Sequence, residues 1–484
     1  MRQARLVKSV VTHSQGKDLF RRFFFALTLF ILPFSSLAQS PSDIPMTDAQ
    51  KVEMANRVRQ QCVKAWEGYK KYAWGHDELK PLSRTPYDWY GHSLMITPVD
   101  TLDTLVLMGL KPQADEDRRL IDTQLNFDQD IYVSNFEITI RLMGGLLSGY
   151  QLTDDKKLLA LADDLGRRLL PVFNSPTGMP YEFINLHSGA VRGVNSNPAQ
   201  VGSLLIEFGM LTRLTGNPVY YDKAKRALVA LYRRSSSVGL VGSGINVETG
   251  EWTNTTAGIM GGIDSYYEYL LKASILFDDM DCARMWKQSL LSINRYLADQ
   301  RPDGLWYGQA DALSGKRTST DYGALGAFFP AVLALSGDLN RAKQLQDSSY
   351  RMWNLAGIEP DKFDYVTKEI ISQKYPLRPE IIESTYYLYQ YTRDPKYLTM
   401  GATFLNSLIN HCGTDNGFAS LRNVTTKQKT DQMGSYLFAE TFKYLYLLFA
   451  PPSILRLDSV IFNTEAHPMK RSLGKRKANR DVSD

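Results

Sequence analysis

Three acidic residues stand at matched distances ahead of a recurring turn, and acids so placed can drive hydrolysis of a glycosidic bond. Glu137 precedes Leu152 by 15 residues, Asp264 precedes Leu276 by 12, and Glu380 precedes Tyr391 by 11. Glycoside hydrolysis needs a general acid, a general base and room for a water. The surroundings of Glu137 favour that chemistry. Asn135-Phe136-Glu137 is followed four residues on by Arg141, and then by Gly144-Gly145. An arginine one helical turn beyond a glutamate can fix the carboxylate by a charge-assisted hydrogen bond. Acids also collect in first helical turns for a simpler reason, because the macrodipole stabilises them by up to about 1 kcal/mol. Asp100 and Asp103 ahead of Leu110, and Glu440 ahead of Phe449, extend the set.

The turn that serves as the ruler recurs five times. It reads Leu152-Thr153-Asp154-Asp155, Leu214-Thr215-Gly216-Asn217, Leu276-Phe277-Asp278-Asp279, Leu335-Ser336-Gly337-Asp338 and Tyr391-Thr392-Arg393-Asp394, at spacings of 62, 62, 59 and 56 residues. A period this long, with a Gly/Asp turn joining two apolar-periodic runs, marks stacked helical hairpins. The Asp or Asn of each turn suits the N-cap of the second helix. Amphipathic runs pair around the turns: 134–150 with 156–171, 198–214 with 217–234, 262–276 with 279–299, 323–335 with 338–354 and 378–391 with 395–411. Inner-type runs at 94–110 and 432–449, with 48–72 and 115–123, bring the total to 14 helices in seven pairs. The first helix of each pair is the more apolar, and no polar capping repeat closes either end. The expectation is an all-α toroid, seven inner and seven outer helices, with the acids at one mouth. Ser459 to Thr464 is a strand-like exception.

Composition excludes several classes. The formal charge of +5 resides at the chain ends: residues 1–38 carry +5 and residues 470–484 carry +4, leaving the core between them at −4. That is no nucleic-acid surface. Arg21-Arg22, the apolar run Phe23 to Phe34 and Ser36-Leu37-Ala38 form a signal-peptide pattern over residues 1–38, too short to span a bilayer comfortably, with a short signal anchor as the alternative. The tail 470–484 lacks an apolar period and is expected to be disordered. Cys62, Cys282 and Cys412 are too few for a disulfide framework, although one bridge could form in an oxidising compartment. Asn254-Thr255-Thr256 and Asn423-Val424-Thr425 are glycosylation sequons. There is no GxSxG, HExxH, Walker A or paired CxxC motif.

Six ordered segments then carry a resemblance. They are Tyr72-Ala73-Trp74-Gly75-His76-Asp77-Glu78-Leu79-Lys80-Pro81, Val99 to Leu105 (VDTLDTL), Asp264 to Leu270 (DSYYEYL), Leu377-Arg378-Pro379-Glu380, Glu383-Ser384, and Phe462-Asn463-Thr464-Glu465-Ala466-His467-Pro468. Over about residues 65 to 469 the chain resembles glycoside hydrolase family 47, the class I α-1,2-mannosidases. Leu165 to Pro171, Tyr375 to Glu380 and Glu440 to Phe449 resemble the ER-degradation-enhancing branch, whereas the opening motif resembles the processing enzymes. The resemblance implies an (α/α)7 barrel over residues 45–469, a short β-hairpin closing one end, and a monomer exported through the secretory route without stable membrane insertion.

The resemblance also implies roles. Glu137 matches the general acid acting through water, Asp264 the other acid-side carboxylate, and Glu380 the general base. Thr464 matches a Ca²⁺ ligand. Glu383, Glu440 and Glu465 match carboxylates around the sugar and the calcium waters, and Arg141 and Arg378 match substrate-orienting positions. Ca²⁺ takes oxygen ligands and tolerates seven or eight of them, which leaves room for sugar hydroxyls. The implied activity is inverting, exo-acting removal of mannose from mannose-rich N-glycans. The chain departs from the family at Gln200 and Gly262, where a charged substrate contact is common, at Leu437, where a stacking Phe is usual, and at Gly434, which replaces a Glu. Leu437 motivates a second reading, a lectin-like homologue that binds glycans with little turnover. A third, another inverting glycosidase on a similar toroid, is disfavoured by the six motifs.

Overall fold

In the computed structural model, residues 46–472 are described. The signal-peptide segment 1–38 and residues 473–484 of the tail lie outside them.

The chain opens with α1 (Asp48–Ala73), closed at its start by a capping box in which Thr47 and Gln50 exchange side-chain-to-backbone hydrogen bonds. Thirteen more helices follow: α2 (Ile96–Leu107), α3 (Lys111–Gln124), α4 (Gly144–Thr153), α5 (Lys156–Leu169), α6 (Leu205–Thr215), α7 (Val219–Tyr232), α8 (Tyr266–Phe277), α9 (Met280–Tyr296), α10 (Phe329–Leu335), α11 (Leu339–Asn354), α12 (Glu380–Thr392), α13 (Lys396–Ser407) and α14 (Lys443–Phe449). Even-numbered helices up to α12 pack on the helix that follows, and α14 packs on α1, which makes the seventh pair. The inner members touch in the order α2, α4, α6, α8, α10, α12, α14, and the stretch before α14 returns to α2. The ring is closed, as the seven-pair reading requires.

The turns work as expected. The residue ending an inner helix is left-handed at Asp154, Gly216, Asp278, Gly337 and Arg393. Asp155, Asp279 and Asp338 then cap the outer helix through their carboxylates. The other loops, from each outer helix to the next inner one, hold small two- and three-stranded antiparallel sheets. These longer loops gather at the inner N-termini, so one end of the barrel is elaborate and the other is made of short turns.

The expected inner runs begin less regularly than a 3.6 period suggests. Asn135–Ile138 leads into a π turn, Thr139–Met143, before α4; Leu437–Phe442 is a second π turn before α14; and Ala324–Phe328 is 3₁₀. The run 198–214 breaks after Gly202, and the run from 262 becomes helical only at Tyr266. Single-turn π segments are a recurrent feature of functional sites.

The axial hole is filled by the closing hairpin, strands Val460–Phe462 and Pro468–Lys470, paired antiparallel with Val460 opposite Lys470. Its open end lies beside the C-terminus of α4, where Lys470 N donates to Gln151 Oε1 at 2.9 Å. Its tip meets inner helices from all sides. His467 Nδ1 bonds Asp103 at 2.8 Å, Asn463 Nδ2 donates to the Ile140 carbonyl at 2.8 Å and to Glu207 at 2.7 Å, and Lys443 Nζ donates to the Ala466 carbonyl at 2.7 Å. The expectation of disorder from residue 470 therefore fails at Lys470 itself. Lys470 ends a strand, and Arg471 N donates to the Ser459 carbonyl at 3.0 Å. All three cysteines are buried and free, so the optional bridge is absent among the described residues.

Gly144 and Gly145 explain how hairpin and helices come so close. A Cβ on Gly144 would lie 2.6 Å from Asn463 Nδ2, and one on Gly145 would lie 2.6 Å from the Val99 carbonyl oxygen. The latter clash is with backbone and cannot be relieved by a rotamer change. Gly145→Ala is therefore expected to lower stability by about 1–3 kcal/mol through overpacking, read as a shifted midpoint in chemical denaturation. An unchanged midpoint would mean that α2 and α4 can separate freely.

Candidate active site

The site is assembled from the ends of inner helices and the tip of the hairpin. Ser134 caps the short helix Asn135–Ile138, its hydroxyl accepting from Glu137 N at 3.4 Å, which fixes Glu137 in a first turn. The π turn that follows carries Arg141. Asp264 precedes α8, and Ser265 next to it has φ 58°. Glu380 and Glu383 lie in the first turn of α12, after Leu377 at φ 60°. Glu440 comes from the second π turn, and Thr464 and Glu465 come from the hairpin tip, where Ala466 has φ 60°. Left-handed Leu and Ala backbones are costly, and such strain concentrates at functional sites.

All nine residues singled out in the sequence (Glu137, Arg141, Asp264, Arg378, Glu380, Glu383, Glu440, Thr464 and Glu465) line one cavity of about 310 Å³. Gln200 and Gly262 line it as well, with Phe136, Leu325 and Phe328 on its apolar side. Leu437 does not. It is fully buried in the core, and its neighbour Tyr436 lines the cavity. Gly434 makes room for that ring, since a Cβ there would sit 2.3 Å from Tyr436 Cε1. Glu268 is a cavity residue that the sequence reading left without a role. Its signal was its place four residues before Lys272, with which it forms a buried ion pair.

Asp100 and Asp103 do not face the cavity. They hold the hairpin from beneath. Asp103 pairs with Lys443 at 2.7 Å, and His467 bridges Asp103 and Asp100. Burial alone would raise the Asp103 carboxyl, but Lys443 and His467 pull it down to about 2. Burial works against the His467 cation, yet Asp103 and Asp100 lift that imidazole to about 8.

Arg141 is the electrostatic centre of the wall. Nε donates to Glu137 at 3.0 Å, Nη1 pairs with Glu465, and Asp100 lies 3.7 Å away. Its guanidinium also faces the Trp89 and Tyr436 rings at 5.3 and 5.7 Å. Across the floor, Lys272 pairs with Glu268 and lies 3.7 Å from Glu383, which accepts from Tyr444 at 3.3 Å.

Negative charge still exceeds positive charge there. Asp264 and Glu380 touch the cavity but are desolvated by its walls. Burial, and then Glu380, push Asp264 up to about 7; burial, against the pull of Arg378, leaves Glu380 at about 7. Glu383 and Glu465 are driven upward mainly by burial. Glu440 has no hydrogen-bond partner among the described residues and is raised strongly by burial, then by Glu465, Glu380 and Glu383. Such a floor is chemically suited to a hard cation. No group of three or more His, Cys, Asp or Glu among the described residues is set to ligate one directly. Thr464, at the hairpin tip, lines the same floor and carries hydroxyl and carbonyl oxygens of the kind a hard cation takes.

This geometry can be set beside known proteins. A family model described as Glycosyl hydrolase family 47 matches residues 61–471. The chain belongs to this family. Among family 47 relatives, it is 38% identical to alpha-mannosidase I MNS5 of Arabidopsis thaliana, over 93% of this chain and 82% of that one. It is 33% identical to ER degradation-enhancing alpha-mannosidase-like protein 2 of Mus musculus, over 92% and 82%. The fold matches the solved alpha-1,2-mannosidase from Trichoderma reesei with a TM-score of 0.81 at 27% identity, covering 87% of this chain and 99% of that one. Family 47 membership thus confirms the resemblance and the (α/α)7 barrel.

The Arg141 cluster sets a stability test for this family 47 chain. Arg141→Met leaves Glu465 buried without its cation, beside an Asp100 that keeps His467 as its partner cation, a change that costs about 3–5 kcal/mol in comparable buried pairs. Glu465 already titrates upward when folded, mainly through burial, so lowering the pH neutralises it and shrinks the penalty. The melting-temperature gap between wild type and variant should be smaller at pH 5 than at pH 8. A gap independent of pH would mean that Arg141 acts by packing alone.

Proposed function

We propose that this protein is a calcium-dependent α-1,2-mannosidase that removes terminal mannose from mannose-rich N-glycans with inversion of configuration. One observation carries the reading: Glu137, Asp264, Glu380 and Thr464, drawn from four separate parts of the chain, line a single cavity. Glu380 is the general base, with one carboxylate oxygen buried and unpartnered. Glu137, steered by Arg141, is the general acid acting through water, and Asp264 shares the acid side. Asp264 and Glu380, both near 7, sit where proton transfer at neutral pH is efficient. Thr464 would hold calcium through its hydroxyl and carbonyl oxygens, with Glu383, Glu440 and Glu465 holding the ion's waters. Calcium, when bound, supplies positive charge and positions for two sugar hydroxyls. Tyr436 offers the sugar an aromatic face. Gln200 and Gly262 replace charged contacts with smaller ones, which suits a different branch preference from that of a processing enzyme.

The secretory route is part of the same proposal, because mannose-rich N-glycans are made there. No helix among the described residues is long and apolar enough to cross a membrane. The lectin-like reading drew its best support from Leu437, which is buried in the core and does not line the cavity, whereas Tyr436 does.

Two experiments test the proposal. Mannose release from an oligomannose glycan should stop on exhaustive chelation and return with Ca²⁺ better than with Mg²⁺, which dehydrates reluctantly. Full turnover with no detectable metal would refute the calcium requirement. Glu380→Gln should lower kcat by about 10²–10⁴-fold while sugar affinity changes far less. In the wild type, kcat/KM should fall on the acid side as Glu380 gains its proton, with a midpoint at or below 7 once calcium adds positive charge. A variant with near-wild-type turnover would show that Glu380 is not the base.

A further inference from the structure

Behind the proposed base lies a carboxyl that belongs to none of the six motifs. Glu359 is fully buried, and neither of its carboxylate oxygens has a hydrogen-bond partner. Glu380 Oε2 shares that condition, and Arg378 Nε makes no hydrogen bond, only a 3.5 Å ion pair with Asp361. Three orphaned carboxylate oxygens on two residues close enough to feel each other's charge are unusual, since buried polar groups are nearly always paired, directly or through ordered water. Glu359 does not line the cavity, so substrate cannot supply the missing partners.

Its segment is held rigidly. Ala324 N donates to the Asp361 carbonyl at 3.1 Å, and Asp361 N donates to the Lys374 carbonyl at 2.8 Å. On the other side, Tyr375 OH donates to the Arg378 carbonyl at 3.1 Å, while its ring packs edge-on against Trp353. Glu359 thus cannot swing out to solvent. The ionisable groups that act on it are Glu380, Arg378 and Asp361, with the Tyr375 and Tyr322 phenols close enough to feel its charge. Burial first, and then Glu380, raise its carboxyl well above the usual range. A neutral carboxyl both donates and accepts, which matches the needs of Glu380 Oε2 and Arg378 Nε across a bridging water.

We propose that Glu359, as an un-ionised carboxylic acid, is a positioning residue that locks the Arg378–Glu380 pair in its working geometry through a shared buried water. The proposal rests on Glu380 being the base of the α-mannosidase reaction, and its test includes a readout that needs no turnover. Glu359→Gln keeps a donor and an acceptor but cannot ionise; Glu359→Leu keeps most of the volume and does neither.

A carboxyl whose folded pKa lies above its unfolded value loses its stabilising contribution as pH rises from the unfolded pKa towards the folded one. Melting temperatures of wild type and Glu359→Gln should therefore diverge between pH 5 and pH 9, with the Gln variant relatively more stable at the alkaline end. In turnover, Glu359→Leu should lower kcat about 10–100-fold with KM little changed, and Glu359→Gln should restore kcat to within about threefold, in the range of lost positioning. The Gln variant should also extend activity to higher pH than the wild type. A melting-temperature difference that does not vary with pH would overturn the un-ionised carboxyl, whatever the enzyme hydrolyses. A folded Leu variant with wild-type kcat, or a Gln variant as impaired as Leu, would overturn the positioning role. If the Leu variant fails to fold, the Gln variant's pH profiles of stability and kcat decide alone.

Discussion

A ring of seven helix pairs leaves an axial hole, and the molecule depends on how that hole is filled. The closing hairpin fills it from the end made of short turns. Its tip is held by a buried set of charges, Asp103, Lys443, His467 and Asp100, in which positive and negative groups face one another at hydrogen-bond distance. Removing one member of such a set leaves an uncompensated buried charge, which is more damaging than never having had the set. The same hairpin that plugs the barrel presents Thr464 and Glu465 upward as the floor of the cavity. Filling of the core and assembly of the site are thus one event.

Above that anchor, the charge balance reverses. Below the tip, acids and bases are matched. In the cavity, Glu268, Glu383, Glu440, Glu465, Asp264 and Glu380 outnumber Arg141, Arg378 and Lys272. The floor stores electrostatic stress that water cannot screen in a desolvated pocket, and acids there hold protons at pH values where exposed ones would not. The stress gives both an appetite for positive charge and acid–base groups poised near neutrality.

Much of this was legible in the sequence because each hairpin turn repeats one solution: a left-handed residue, then a side-chain cap. That regularity located the inner N-termini and hence the acids. What regular periodicity hid was what the π turns change. Tyr436, and not Leu437, turns to the cavity just ahead of the π turn Leu437–Phe442. The left-handed backbones at Ser265, Leu377 and Ala466 have no glycine to announce them. Lys470 looked like the first residue of a basic tail because its charge was visible and its strand partner, Val460, was not. Glu359 belongs to no motif, and its isolation appears only once the chain is folded around it.

The pairing of α1 with α14 has a consequence for how the chain comes to be folded. Every other pair is made of neighbours in sequence and can form as soon as both helices leave the ribosome. The seventh joins Asp48–Ala73 to Lys443–Phe449, so the earliest helix of the barrel to be made waits for the latest. Until then six pairs form an open arc with an apolar seam at each edge, the kind of late, long-range closure that slows folding and exposes a chain to aggregation. The hairpin follows still later in synthesis. A nascent chain truncated anywhere before residue 460 would lack not only its plug but the floor on which a sugar could rest, so translation must pass the hairpin before the pocket can exist.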